Sequence, residues 1–487
     1  MLKQLSAQST VQNIVLALAL AILAKILLGG YPWGINFSMV LLALVAVLVA
    51  LEKKFSYLSL ALILLAFLYM WRTSYELRFL NFLAITFLLF LQMSRLQSWS
   101  VLRFDSILFN SSRTAVLFGF APIISLLHTE WKQGLEGPKP QLPPNFFISL
   151  FRGLMISLPL FIIFAALFSS ADEIFALRLR SFFGFDLDLE SLIENFIQVC
   201  LLWYMFGAIL SLSSQGNLWS DTRLYAPKFS RLGVIELVIV LGSLIALFAG
   251  FMFVQLQYLF PAKEHIELGE LTYAYYGRNG FFELCLVTLL LHLVLFFIHW
   301  LTHEEQALSQ KVFRILAFAL SLLQVGVVVS AFKRLQLYIA AYGLTEDRFY
   351  GMAGIIFISV VMLVFLTKLV FRAGPSLASS YFALYLLWLI GLTAINPDAF
   401  ISRYNVRLYI EGTITDYDPS YVGSLSIDNL PTLLNLQQAH PELSRLGKVI
   451  EKQGSKLRAA SDWRQQSIAS WQAGRALARI QALDLGD

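Results

Sequence analysis

Cysteine is nearly missing from this chain: Cys200 and Cys285 are the only two in 487 residues. Both lie inside apolar runs, so the sequence offers no disulfide framework and no Cys-x-x-Cys metal site. Charge is scarce as well. Asp, Glu, Lys and Arg make up 14% of the residues, against roughly a quarter in soluble domains. The chain also lacks a Walker loop, a GxSxG nucleophile elbow, a GxGxxG turn following a strand, and zinc-ligand spacing. No cofactor is therefore expected, and no complete catalytic set can be read from motifs.

What the chain has instead is apolar length. Hydrophobic residues reach 58%, and the mean hydropathy is +0.70. Apolar runs near 20 residues recur, which is what a helix needs to cross a bilayer. Outer-membrane strands would alternate in segments of about ten residues instead. The expected fold is all-α: a polytopic transmembrane helix bundle with a small C-terminal helical tail domain. The net charge of +5 reads as loop topology rather than nucleic-acid binding, so nucleic acid is not an expected partner. The first run begins near Val11 without a small-residue cleavage site and reads as a retained span.

Four regions follow. Residues 1–93 form an N-terminal four-span bundle: Val11 to Leu28, with Lys25 snorkelling near its end, then Ile35 to Leu51, Tyr57 to Trp71 and Phe79 to Met93. Residues 94–145 connect it to the rest of the chain. Within them, Ala115 to Leu127 is short and contains Pro122, which favours an interfacial or re-entrant helix over a twelfth span. Residues 146–395 carry seven spans: Phe146–Phe168, Leu192–Leu212, Leu232–Phe260, Phe281–Leu301, Val312–Phe332, Ala353–Phe371 and Tyr381–Ala394. Residues 396–487 are polar, with ten basic and ten acidic side chains. There Leu443, Leu446, Ile450 and Leu457 fall on one helical stripe, and a second helix is expected over Ser461 to Leu483.

Counting spans puts four unusual stretches on one membrane face. They are the Asp172 loop, the Tyr273–Glu283 stretch, the segment from Lys333 and Arg334 through Tyr342 and Glu346, and the segment from Asn396 through Asp398 and Arg403. Loops 169–191, 261–280 and 333–351 hold seven Lys or Arg, and the opposite loops also hold seven. Arg152, Arg314 and Lys368 near span ends tip the balance, so the opposite face is expected to be cytoplasmic. With eleven spans the N-terminus is then cytoplasmic, and the motif loops and tail are extracytoplasmic.

The motifs on that face resemble a large uncharacterised family of bacterial inner-membrane proteins, a domain of unknown function. The resemblance rests on Ser170-Ala171-Asp172, Gln257-Tyr258-Leu259-Phe260, Thr272-Tyr273-Ala274 with Arg278 and Gly280-Phe281-Phe282-Glu283-Leu284, Tyr338 with Tyr342-Gly343-Leu344-Thr345-Glu346, and Asn396-Pro397-Asp398-Ala399. Together these cover roughly Arg152 to Asn405. The chain departs from the family pattern at Tyr275, where an acidic residue is common, and at Gly277, where alanine is usual. The resemblance implies a bacterial cytoplasmic membrane and a multi-pass topology, and it implies no activity.

The candidate polar or ligand site is Asp172, Tyr273, Arg278, Glu283, Arg334, Tyr342, Glu346, Asp398 and Arg403. Glu283 with Arg278 and Arg334 could build an anion or proton site, although a structural ion-pair network fits the same residues. The tyrosines could stack on a sugar or headgroup, or form an interfacial belt. His299 and His303 have metal-compatible spacing, but Trp300 stands where a metalloprotease motif needs glutamate. His292 reads as a core histidine bonded within the bundle. The leading functional expectation is a non-enzymatic component supporting envelope assembly or signalling, with the bilayer and a membrane or extracytoplasmic protein held by the C-terminal domain as partners. The alternatives are a transporter or channel for a small anion or lipid-linked solute, and a membrane enzyme acting on lipid or glycan.

Overall fold

The computed structural model describes residues 5–93, 118, 129–130, 189–214, 234–259, 285, 287–299, 302, 307–371, 377–412, 418–441, 443, 445–459 and 462–484. These residues are helical almost throughout. The N-terminal helices are α1 (Ala7–Leu28), α2 (Ile35–Glu52), α3 (Tyr57–Trp71) and α4 (Tyr75–Met93). Then come α5 (Leu189–Ser214), α6 (Val234–Leu259), α7 (Val287–His299), α8 (Ala307–Tyr342), α9 (Glu346–Phe371) and α10 (Leu377–Ile395). The polar C-terminal segment folds as α11 (Pro397–Ile410), α12 (Pro419–Ser424), α13 (Leu430–Ala439), α14 (Arg445–Ala459) and α15 (Ile468–Asp484). Extended structure among the described residues is a parallel pair of two-residue strands, Leu5–Ser6 with Thr129–Glu130. Eight of the described helices are long and apolar enough to cross a bilayer, and α3 and α7 are shorter apolar helices. The short segment at 115–127 lies outside the described residues apart from Phe118.

The chain packs as two units. The first comprises Met1–Ala66, Leu88–Arg95 and Ser111–Ser220. Its core presses Ala17, Leu20, Ala21 and Ala24 of α1 against Phe206, Ala208, Ile209 and Leu210 of α5. Alanines on the seam let the two backbones approach closely, the usual means of packing helices in lipid. Polar groups here are paired across helices. Lys25, near the end of α1, donates from its Nζ to Gln198 Oε1 on α5. The Trp203 indole donates to the Ile14 carbonyl at 3.2 Å. Glu52 accepts from Gln92 Nε2 at 2.8 Å and from Ser213 Oγ at 2.8 Å.

The second unit comprises Phe67–Phe87, Leu96–Asn110 and Asp221–Asp487. Its core runs through Leu237, Leu241 and Phe248 of α6, Phe313, Ala317, Leu320 and Val327 of α8, and Phe365 of α9. Gly326 of α8 lies directly beneath Met252 of α6, in space a Cβ would fill. The α3–α4 tip is fixed to α10 where Tyr385 Oη donates to the Leu80 carbonyl at 2.9 Å. The C-terminal helices have their own core of Val406, Val422, Leu430, Leu433, Leu434, Leu446, Val449, Ile450 and Ala473.

Two element boundaries correct the sequence reading. The segment 333–351 was expected to be a loop because Lys333 and Arg334 end the apolar run. Instead α8 continues through Tyr342, and the connection to α9 is Gly343–Thr345 alone. Charge ends a span but not a helix: no residue between 333 and 342 is Gly or Pro, and the helix stops at the first glycine. The second expected tail helix starts at Ile468 rather than Ser461, because Asp462 caps a 3-10 turn over Trp463–Gln465 and the Ser467 and Ser470 side chains close the first turn of α15.

Candidate functional site

The polar residues of the second unit gather where the α3–α4 tip, the α8–α9 connection and the start of the C-terminal helices meet. Asn396 opens α11 in a left-handed conformation, φ 56°, tolerated by asparagine better than by most residues. Its side chain accepts from Ala399 N and donates to the Asp428 carbonyl at 2.9 Å. Pro397 follows at a first-turn position, where a missing N–H costs nothing. This cap turns the chain sharply out of α10 and sets Asp398 inward.

Asp398 is completely buried. Its Oδ2 accepts from Ser426 N at 3.1 Å and from Ser426 Oγ. Its Oδ1 has no hydrogen-bond partner among the described residues. Burial pushes the carboxyl up to about 6; the Ser426 hydroxyl works against that shift, while the negative charges of Asp428 and Glu76 add to it. Asp428, also buried, accepts from Thr73 N at 2.8 Å and Thr73 Oγ1 at 2.6 Å. Burial raises its pKa, and the Thr73 bonds with Arg72 and Arg78 oppose the rise. Arg72 Nε donates to the Thr393 carbonyl at 2.9 Å; burial lowers its pKa, and Asp428 and Asp398 restore part of it.

The α8–α9 connection is held from the other side. Asn405 Oδ1 accepts from Leu344 N, and its Nδ2 donates to the Leu344 carbonyl, both at 2.7 Å. One side chain thus pairs both backbone groups of one residue. Gly343 adopts φ +74°, and a Cβ there would sit 2.9 Å from Asn405 Oδ1, so glycine is required twice over. Arg348 donates to the Tyr342 and Gly343 carbonyls at 3.0 and 2.6 Å, and its guanidinium lies 4.0 Å from the centre of the Tyr338 ring. A cation on the last carbonyls of α8 suits that helix end. Glu346 N donates to Tyr421 Oη at 2.8 Å, and burial raises the Tyr421 phenol. Ser74 Oγ donates to Glu76 Oε2 at 2.9 Å and lies 3.3 Å from Tyr350 Oη.

Of the residues singled out from sequence, Glu346 and Asp398 meet in this cluster, and the two carboxylates sense each other's charge. Tyr342 stands at its rim, about half exposed. Arg403 turns away: it is exposed, and its Nε bonds the Ala399 carbonyl of its own helix. Arg334 sits on α8 two turns before the helix end. Asp172, Tyr273, Arg278 and Glu283 lie outside the described residues, as does His303. Motif reading passed over Arg72, Thr73, Glu76, Tyr350, Tyr421, Ser426 and Asp428. Carrying the span count back to the 72–74 turn would have placed that turn on the same face.

The cluster is therefore a buried acidic and tyrosyl site with two arginines at its edge. It can fix a helical domain to the ends of spans, and it can hold a proton on Asp398 near neutral pH. Among the described residues no three His, Cys, Asp or Glu side chains converge as a metal site requires.

The fold and this site define an all-α, multi-pass integral membrane protein whose polar helical domain is seated on the ends of its spans. The chain belongs to the DUF4153 family, a domain of unknown function, whose model matches residues 59–436. The match takes in α3 and α4 as well as the motif-bearing spans and reaches α13 of the tail. No curated protein and no solved structure matches the chain.

Proposed function

We propose that this protein is a non-enzymatic membrane component that supports envelope assembly or signalling by presenting its C-terminal domain to a protein partner. The observation that carries this reading is the seating of that domain. It has its own apolar core, and it is tied to the span ends through Asp428, which accepts from Thr73, and Asn405, which pairs with Leu344. A flexible tail would need none of these buried polar bonds. The seated domain exposes Trp463 and Trp471, each more than half accessible, and tryptophan is the residue type that most often anchors interfaces. The Arg475 guanidinium lies 3.6 Å from the Trp471 ring centre, which adds a cationic group to the same surface.

We also propose a bacterial cytoplasmic membrane, a cytoplasmic N-terminus and an extracytoplasmic C-terminal domain. The Lys and Arg near span ends on the opposite face support that orientation.

The test is a photo-crosslinking amino acid placed at position 463 or 471 of the full chain in its native membrane. The expected product is one discrete protein adduct of fixed mass at both positions. Lipid adducts alone, together with a small solute retained at fixed stoichiometry in the native mass spectrum, would sink the partner-holding reading.

A further inference from the structure

A second polar set lies inside the membrane-spanning part of the second unit, away from the cluster above. Gln324 stands at the middle of the 36-residue α8. Its Nε2 donates to the Thr288 carbonyl of α7 at 2.8 Å. Near the other end of α7, His299 stacks on Phe313 with ring centres 5.2 Å apart. Thr288 to His299 is the same number of residues as Gln324 back to Phe313, so α7 and α8 run antiparallel in a constant register. That register sets His292 level with Leu320, beside Ser321. His292, Ser321 and Gln324 therefore share about 6 Å of depth, at a rise of roughly 1.5 Å per residue. His292 is also fixed from the side. Its Nε2 lies 2.8 Å from Tyr381 Oη of α10, and its ring meets Phe365 of α9 edge-on at 5.1 Å.

All three side chains are more than nine-tenths buried. Each keeps one polar atom without a hydrogen-bond partner among the described residues: His292 Nδ1, Ser321 Oγ and Gln324 Oε1. In hydrocarbon such atoms are too costly to leave unpaired, and polar side chains at mid-depth face a partner or a hydrated space. Three on one seam, at one level, call for a shared occupant. The groups are an amide oxygen, a hydroxyl and a ring nitrogen, and His292, Ser321, Gln324 and Tyr381 include no carboxylate, ammonium or guanidinium. They suit a small uncharged molecule that both donates and accepts hydrogen bonds.

We propose that His292, Ser321, Gln324 and Tyr381 form a mid-depth binding site whose occupant is water. Water makes two to four hydrogen bonds in such places. It can donate to Gln324 Oε1 while exchanging a bond with Ser321 Oγ and meeting His292 Nδ1 in whichever tautomer the Tyr381 bond selects. This assignment is independent of the partner-holding reading.

The experiment is radiolytic hydroxyl labelling of the full chain in nanodiscs, in which radicals formed from bound water mark the side chains beside it. Tyr381 and His292 should be oxidised several-fold faster than Phe313, which is fully buried in an apolar core. Ser321→Ala combined with Gln324→Leu should bring both rates down to that of Phe313, and Ser321→Ala alone should lower them at least about twofold. If the double variant fails to fold, the single one decides. Rates at Tyr381 and His292 no higher than at Phe313, or unchanged in both variants, overturn the proposal.

Discussion

Among the described residues, the buried carboxyl of Asp398 and the half-buried one of Glu346, raised to about 7, carry a pH dependence of the same sign. The folded-state pKa of Asp398, about 6, lies above the ordinary 3.8. The folded protein therefore holds a proton that the unfolded chain releases between those values. Its contribution is fully present below about pH 4 and is lost as pH rises through 6. The span between the two values corresponds to on the order of 3 kcal/mol. Asp428, raised in the same direction, adds to this trend. The groups facing Asp398 are Ser426, Asp428, Glu76, Glu346, Tyr350, Tyr421 and Arg72. Thermal unfolding followed from pH 4 to pH 8 should show the wild type losing stability across that window. Asp398→Asn, which mimics the protonated acid, should flatten the slope and raise the melting temperature at pH 7. A wild type that gains stability over the same window contradicts the assignment.

Gly343 gives a second test at the scale of single residues. Alanine there meets Asn405 Oδ1 and also takes up a left-handed backbone, so Gly343→Ala should cost about 1–3 kcal/mol. Part of that cost is a clash with one side chain. In an Asn405→Ala background it should shrink, leaving only the backbone penalty, and a double-mutant cycle on unfolding free energy reads the difference. Equal costs in both backgrounds would mean that Asn405 does not shape the turn.

At the scale of elements, Asp428 joins the α3–α4 tip to the C-terminal domain. Asp428→Ala strands the Thr73 N–H and hydroxyl and removes a countercharge from Arg72 and Arg78. Removing one side of a buried charged network costs on the order of 3–5 kcal/mol. Hydrogen exchange should speed up at residues 72–78 and 396–429, while α8 and α9 keep their protection. Uniform loss of protection would point to global unfolding instead.

The elements also show what the sequence could and could not convey. The expected limits of α2 and α3 fall within a residue of the observed ones, because a glycine–proline turn opens α2 and polar residues bound the other ends of the two apolar runs. In α8 the signals separate. Hydropathy stops near Phe332, but backbone geometry stops at Gly343, so a helix of about 54 Å projects well past a hydrocarbon core of about 30 Å. Asp398 and Glu346 were legible because each lies in a recognisable motif beside a helix start. Asp428, Arg72 and Thr73 were not. They meet across 355 residues, and no local periodicity encodes such a contact. His292 was read as a histidine bonded within the bundle, and its bond to Tyr381 agrees. Ser321 and Gln324 give no signal, being single polar residues in an otherwise apolar stretch.

For the whole molecule, the Thr73–Asp428 and Leu344–Asn405 bonds place the α3–α4 turn and the α8–α9 turn at one end of the second unit. An even number of crossings must then separate them. Eleven spans meet that condition, whereas a twelfth at 115–127 would put the two turns on opposite faces. Cysteines at Tyr75 and Tyr342, both exposed, in a background lacking Cys200 and Cys285, should react with an impermeant maleimide from the same side. Labelling from opposite sides would overturn the parity.

The distance in sequence between Thr73 and Asp428 also has a meaning in time. A ribosome working at roughly 5 to 20 residues per second needs about 20 to 70 seconds to make the 355 residues that separate them. The α3–α4 hairpin therefore enters the membrane with Arg72 and Thr73 lacking their final partner, and it keeps that provisional state until Asp428 has been made. Closure of this bond follows the synthesis of α10, the last described span. A chain that stalls or is cut between residues 395 and 428 has α10 but no latch, and quality-control proteases that read exposed polar turns have a direct means of recognising it.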